Sequence, residues 1–404
     1  MPYFSISGGV PLSGCCRIHG AKNAVLPILA AAVLTRKPVR LLDVPELTDV
    51  SNMCKILRLL GCRVAREGAA LLIDGADADC FALPEDLSKE LRSSIFLLGP
   101  VLGRFRQAVV TYPGGCEIGN RPIDLHLKGL SALQAQIVEE GGRIRCDGGS
   151  LTGATIHLDY PSVGATENIM MAATAADGET VIKNAAREPE IVDLQSFLNA
   201  AGFSVRGAGS STVVIRGGCE PREVSFRIMP DRIVTGTVLA AAAITGGSVT
   251  VENVCPEHLS GTLAKLEEAG CALTLYDRAI RLAAPDRLHA ISRLETMPHP
   301  GFPTDMQSQF TALCAAADGT SVVVENVFDN RFRQVPELVR KGADSLLHGS
   351  TAVIRGVPRL HGADVAARDL RGGAALVLAE LAANGQTTVR GTGYIDRGYE
   401  RLER

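Results

Sequence analysis

The chain repeats one arrangement along its length: a polar-capped apolar helix, then a short Val/Thr-rich strand that runs into a polar, charged loop. The strands begin near Val39, Val109, Val181, Val249, Val322 and Thr388, so successive starts lie 66 to 73 residues apart. A second landmark keeps the register, in helix ends reading Leu60-Gly61-Cys62, Ala201-Gly202-Phe203, Ala269-Gly270-Cys271 and Lys341-Gly342-Ala343. The copy expected after Val109 is weak, because Gln134-Ala135-Gln136 stands where the glycine would be. The copy expected after Thr388 would fall just past Arg404. A fixed period means one supersecondary unit reused, and such a unit cannot bury its apolar face without its neighbours. We read six units, the last incomplete, divided near Met229-Pro230-Asp231 into three and three.

Each unit carries one helix that is apolar on all sides: Ala24–Leu34, Ser93–Leu102, Glu167–Ala175, Val234–Ile244, Met306–Ala316 and Ala374–Ala382. Helices of this kind belong in a core. Others, such as Leu194–Ala201 and Gly261–Ala269, mix polar and apolar residues and belong at the periphery. Sheets wrapped around buried helices are the natural packing, since both sides of those helices need cover. With no tryptophan and 4% aromatic residues, the core must be built from Ala, Leu, Val and Ile.

A net charge of −3 gives no nucleic-acid footprint and no polybasic membrane patch. The 11 cysteines form no CxxC pair and no zinc spacing, and most read as small buried hydrophobes in a reducing cytosol. The longest apolar helices fall well short of the roughly 20 residues a membrane span needs. A soluble, cytoplasmic chain is expected.

The starts of the apolar helices gather charged or polar residues: Lys22-Asn23, Arg92, Thr166, Asp231-Arg232, Thr304-Asp305 and Arg371. A helix N-terminus attracts anions, so a cation placed there sits against the macrodipole unless an anion joins it. If the six helices run parallel, their starts converge on a cleft for a ligand bearing phosphate and carboxylate. Read singly, the same residues are helix caps and surface ion pairs. The loop Pro113-Gly114-Gly115-Cys116-Glu117-Ile118-Gly119-Asn120-Arg121 stands apart, with a thiol that neighbouring cations would activate. Asp305 is either a plain N-cap or, in a cation-rich cleft, a general base. Glycine-rich nucleotide motifs and an HExxH pair are absent from the sequence.

Several stretches then resemble one family along the whole chain. They are Gly20-Ala21-Lys22-Asn23-Ala24, Pro113-Gly114-Gly115-Cys116, Arg121-Pro122-Ile123-Asp124-Leu125-His126 and Asn184-Ala185-Ala186-Arg187-Glu188-Pro189-Glu190. They continue with Phe302-Pro303-Thr304-Asp305-Met306-Gln307, Asn330-Arg331-Phe332 and Ile395-Asp396-Arg397-Gly398-Tyr399-Glu400. These are similar to the motifs of the UDP-N-acetylglucosamine enolpyruvyl transferases. The resemblance implies an inside-out α/β barrel: two domains built from six repeats with buried parallel helices, the last repeat incomplete here. It implies domains Lys22–Met229 and Met1–Ala21 plus Pro230–Arg404.

The resemblance also implies transfer of the enolpyruvyl group of phosphoenolpyruvate to the 3′-hydroxyl of the sugar nucleotide, the first committed step toward peptidoglycan. Lys22, Arg121 and Arg397 would hold the phosphoenolpyruvate anions, and Arg92, Arg331 and Arg371 would help close the cleft. Asn23 would orient the sugar, Asp305 would take the 3′-hydroxyl proton, and Cys116 would act near the vinyl carbon. Arg121, Pro122, Ile123, Asp124, His126, Ser162, Val163 and Gly164 would line the uridine and diphosphate site, with Val327 a further substrate contact. A cysteine at position 116 implies alkylation by fosfomycin. Addition and elimination need acid, base and charge stabilisation, so no metal or cofactor is expected. The partners expected are the two small-molecule substrates, with no nucleic acid and no membrane.

The chain departs from the family pattern at Val234, where a glutamate is usual, at Tyr394 for a histidine and at Tyr160 for a lysine. The family also continues past the Arg-Gly-Tyr-Glu motif for a helix and a strand, so exposed apolar surface is expected in the second domain. Two alternatives stand beside the main reading. One is a catalytically weak paralogue that binds the sugar nucleotide in a regulatory role. The other is the shikimate-pathway relative, disfavoured because it carries Gly-Ser-Lys-Ser where this chain has Gly20-Ala21-Lys22-Asn23.

Overall fold

A computed structural model describes residues 2–83, 85–112 and 122–403. They form two compact units of mixed α/β structure, residues 20–112 with 122–229 and residues 2–19 with 230–403.

In the first unit the helix Lys22–Thr35 buries every residue except Asn23, as a helix apolar all round must. The helix Leu98–Phe105 packs against it and against Val163–Ala173. Gly99 permits that approach, because a Cβ there would sit 2.3 Å from the Asn168 carbonyl oxygen. The sequence led us to expect a single helix over Ser93–Leu102. Instead a 3-10 turn, Arg92–Leu97, precedes Leu98–Phe105. Pro100 has no N–H for the bond back to Phe96, so the α-helix starts afresh with that proline in its first turn.

Three sheets surround these helices, and two share one plan. Val224–Arg227 runs parallel to Val39–Leu42, which pairs antiparallel with Ala70–Asp74, itself edged by Arg63–Glu67. Thr155–His157, Glu179–Lys183, Thr212–Arg216 and Ser204–Arg206 follow the same order. In the third, Gln107–Thr111 pairs with Arg143–Asp147 and that with Gln136–Glu140, while Ala82 bridges Val109 in parallel.

The second unit buries the helices Arg232–Ile244, Gln307–Ala316 and Leu370–Leu381. Two of its sheets keep the four-strand plan, and the third joins Asp364–Ala366, Gln386–Arg390 and the N-terminal strand Tyr3–Ser7. As in the first unit, a 3-10 turn (Thr304–Met306) takes the start expected for the Met306–Ala316 helix.

The glycines of the helix-end landmark share one conformation: Gly61, Gly202, Gly270 and Gly342 have φ of 95°, 100°, 91° and 92°. The weak copy makes the same turn without one, and Gln134 takes φ 71° there, a left-handed value that costs a residue with a Cβ. The Lys341 that precedes Gly342 is wholly buried, where it pairs with Glu380 and donates to the His361 carbonyl at 3.0 Å. Five of the ten described cysteines are buried (Cys54, Cys62, Cys146, Cys271 and Cys314), so half rather than most are core residues. Among the described residues no helix is long and apolar enough to cross a membrane.

Candidate active site

The helix starts singled out in the sequence divide into two kinds. Some are capped. Asp231 Oδ1 accepts from the N–H groups of Ile233 and Val234 at 2.8 and 2.9 Å. Asp369 Oδ1 does the same for Arg371 and Gly372 at 3.0 and 2.8 Å, and Ser162 Oγ accepts from Ala165. The helix beginning at Lys22 has no side-chain cap. Our premise that cations at these starts call for a bound anion needs correcting. The Lys22 ammonium lies 2.7 Å from the Asp49 carboxylate, and both side chains are buried. The anion is supplied by the protein.

Asp305 is the centre of the second unit's charged group. It sits in the 3-10 turn Thr304–Met306, where no side chain caps the turn, so the N-cap reading fails. One carboxylate oxygen takes Arg331 at 2.6 Å and the other takes Arg371 at 2.9 Å. The two guanidiniums are 2% and 3% exposed, whereas a quarter of Asp305 reaches solvent. Burial by itself would push this carboxyl up, but the charges of Arg371 and then Arg331 outweigh it and hold it well below the usual carboxylate range. Nε of Arg331 and both Nε and Nη1 of Arg371 are buried without a hydrogen-bond partner among the described residues.

Packing fixes this arrangement. The Arg371 guanidinium lies 5.5 Å from the centre of the Tyr399 ring, and that of Arg331 lies 5.5 Å from the Phe328 ring. Gln309 Nε2 donates to the Asp305 carbonyl at 3.0 Å, to Thr237 and to the Tyr399 hydroxyl. Glu325 is a residue that the sequence reading missed. Its buried carboxylate accepts from Thr304, Thr296 and the N–H groups of Val327 and Phe328, tying the Asp305 turn to the Val327 turn. Nothing in its local sequence, Val324-Glu325-Asn326, signals that role. Arg397 is half-buried at the end of the 3-10 helix Thr392–Arg397.

In the first unit the expected sugar-nucleotide residues gather at the starts of two helices. His126 lies in Asp124–Ala132 and is buried, with Ile123 buried and Pro122 and Asp124 exposed before it. Ser162, Val163 and Gly164 open Val163–Ala173, and a Cβ on Gly164 would stand 3.0 Å from His126 Cε1 and 3.2 Å from Nε2. Asn23 is the second residue of its helix, and Arg92 opens the 3-10 turn. Cys116 and Arg121 lie outside the described residues.

The family profile of EPSP synthase (3-phosphoshikimate 1-carboxyvinyltransferase) matches residues 6–404. A Caldanaerobacter subterraneus protein named UDP-N-acetylglucosamine 1-carboxyvinyltransferase 2 is 50% identical, over 100% of this chain and 97% of its own length. The chain belongs to the UDP-N-acetylglucosamine 1-carboxyvinyltransferase family. A family member from Gloeobacter violaceus is also 50% identical, over 100% of this chain and 88% of its own. Two solved structures share the fold. The enolpyruvyl transferase NikO from Streptomyces tendae has a TM-score of 0.89 at 24% identity, covering 99% of this chain and 95% of its own. An EPSP synthase from Acinetobacter baumannii has a TM-score of 0.75 at 21% identity, covering 98% and 95%.

Proposed function

We propose that this chain transfers the enolpyruvyl group of phosphoenolpyruvate to the 3′-hydroxyl of UDP-N-acetylglucosamine and releases phosphate, opening peptidoglycan synthesis. The observation that carries the reading is identity near 50% over the whole chain to relatives named for that activity. The finer fold and the location belong to the same reading: an inside-out barrel of six repeats in two domains, acting in the cytoplasm.

The chemistry is an addition followed by an elimination. The sugar oxygen bonds to C2 of phosphoenolpyruvate while C3 gains a proton. Loss of a C3 proton and of phosphate then restores the double bond. Asp305 takes the hydroxyl proton and Cys116 serves the proton at C3. Lys22, Arg121 and Arg397 hold phosphate and carboxylate, with Arg92, Arg331 and Arg371 around them. Asn23 orients the sugar. His126, Ser162, Val163 and Gly164, with Arg121 to Asp124, take the nucleotide, and Val327 borders the sugar.

The Asp305 geometry suits this assignment in a specific way. While both guanidiniums sit on it, the carboxylate is too weak a base for a hydroxyl. An incoming phosphate or carboxylate competes for Arg331 and Arg371, whose buried nitrogens have hydrogen-bonding capacity to spare. Substrate anions thereby make Asp305 more basic, so its activation is tied to substrate binding.

The test is phosphate release from the two substrates together, with mass analysis of the sugar nucleotide and a Cys116→Ser control. An enolpyruvyl increment that needs both substrates supports the reading. Absence of turnover in a folded protein that binds the sugar nucleotide would replace it with the non-catalytic paralogue.

A further inference from the structure

Asn168 was singled out by no motif, yet its wholly buried side chain joins three elements of the first unit. Its Oδ1 accepts from the Gly99 N–H at 2.7 Å. Its Nδ2 donates to the Ile95 carbonyl at 2.8 Å and meets His126 Nδ1 at 2.7 Å. The two backbone partners fix which end of the amide is which. Rotating the amide would set its NH₂ against the Gly99 N–H and its oxygen against the Ile95 carbonyl, two repulsive contacts in a buried site. With one Nδ2 hydrogen on Ile95, the other points at His126, so Nδ1 has to accept it. The proton of a neutral imidazole then sits on Nε2, and an imidazolium would face donor against donor.

We infer that Asn168 is a positioning residue that locks His126 as the neutral Nε2–H tautomer, so that His126 meets the sugar nucleotide as a hydrogen-bond donor to an oxygen. That the oxygen belongs to the sugar nucleotide rests on the proposed function; the lock itself does not. Gly164 completes the arrangement. A Cβ there would stand within 3.2 Å of Cε1 and Nε2, so that edge of the ring lies beside the 162–164 segment proposed to line the same site.

The lock is read directly by nitrogen NMR of the full chain labelled in histidine, with the signal assigned from His126→Gln. Wild-type His126 is expected with Nε2 protonated and Nδ1 bare. In Asn168→Asp a carboxylate replaces the donor, and His126 should gain a proton on Nδ1. Should that variant not fold, Asn168→Ala is expected to show both tautomers in exchange. An Nδ1 proton in the wild type, or a wild-type spectrum in either folded variant, overturns the inference. In turnover, Asn168→Asp should raise KM for UDP-N-acetylglucosamine roughly tenfold with a smaller change in kcat and in KM for phosphoenolpyruvate. An unchanged KM ratio would remove the sugar nucleotide as the recipient. A chain with the expected tautomer but no turnover would refute the proposed function and leave the lock standing.

Discussion

The two units each bury a cation near the start of a core helix, and they satisfy it differently. Lys22 has the Asp49 carboxylate opposite it at 2.7 Å. Asp305 is shared between Arg331 and Arg371, and three guanidinium nitrogens are left with no hydrogen-bond partner among the described residues. In the first, Asp49 balances the charge of a buried Lys22. In the second, the shared carboxylate leaves guanidinium donors over. On the proposed function both groups meet substrate anions, Lys22 from a pair and the two arginines from beside a shared carboxylate.

Changing the shared carboxylate should have the largest effect. Asp305→Asn removes the proposed base and is expected to lower phosphate release by about a hundred- to ten-thousandfold, read in single-turnover assays. Retention of wild-type turnover would remove Asp305 from the chemistry.

Breaking the Lys22–Asp49 pair should act on folding. Asp49→Ala removes the carboxylate opposite a buried ammonium and is expected to cost about 3–5 kcal/mol, measured by urea unfolding, whereas Lys22→Met with Asp49→Leu should recover most of it. Equal losses in the single and double variants would mean that the ion pair does not carry the cost.

Acid should separate the units further, because two of their carboxyls shift in opposite directions. Asp305 has a lowered folded pKa, so its contribution is complete above the ordinary aspartate range and disappears only as pH falls below it. Burial pushes Asp193, in the first unit, up to about 7, with Glu190 adding to it against the Met229 N–H. A raised carboxyl pKa favours the folded state at low pH, and that advantage is lost as pH rises from about 4 to 7. Asp193→Asn should therefore raise stability more at pH 8 than at pH 5, checked by unfolding at both. An equal gain at the two values would contradict the shift.

The smallest effect is expected at the turn that lacks its glycine. Gln134→Gly should raise stability by about 1 kcal/mol in thermal unfolding, since the backbone already has the left-handed φ that glycine prefers. A loss of stability would mean that the glutamine side chain supports the turn.

Much of the architecture was legible in the chain itself. The strand period, the turn glycines and the all-apolar helices are local patterns, and local backbone preference with burial is enough to read them. The boundary misread at Ser93 also had a local cause, the missing N–H of Pro100. The site was legible as a set of residue types: Lys22, Asp305, Arg331, Arg371 and His126 were all named from their motifs. Their partners were not. Asp49 faces Lys22, Glu325 ties two turns together, and Asn168 reaches His126 and Ile95 across 42 and 73 positions of sequence. Sequence alone determined the strand spacing, the turn glycines and the cations near the helix starts. Only the tertiary structure decided which carboxylate or amide stands opposite each one. Such pairings follow from how buried helices pack, and no local propensity specifies them.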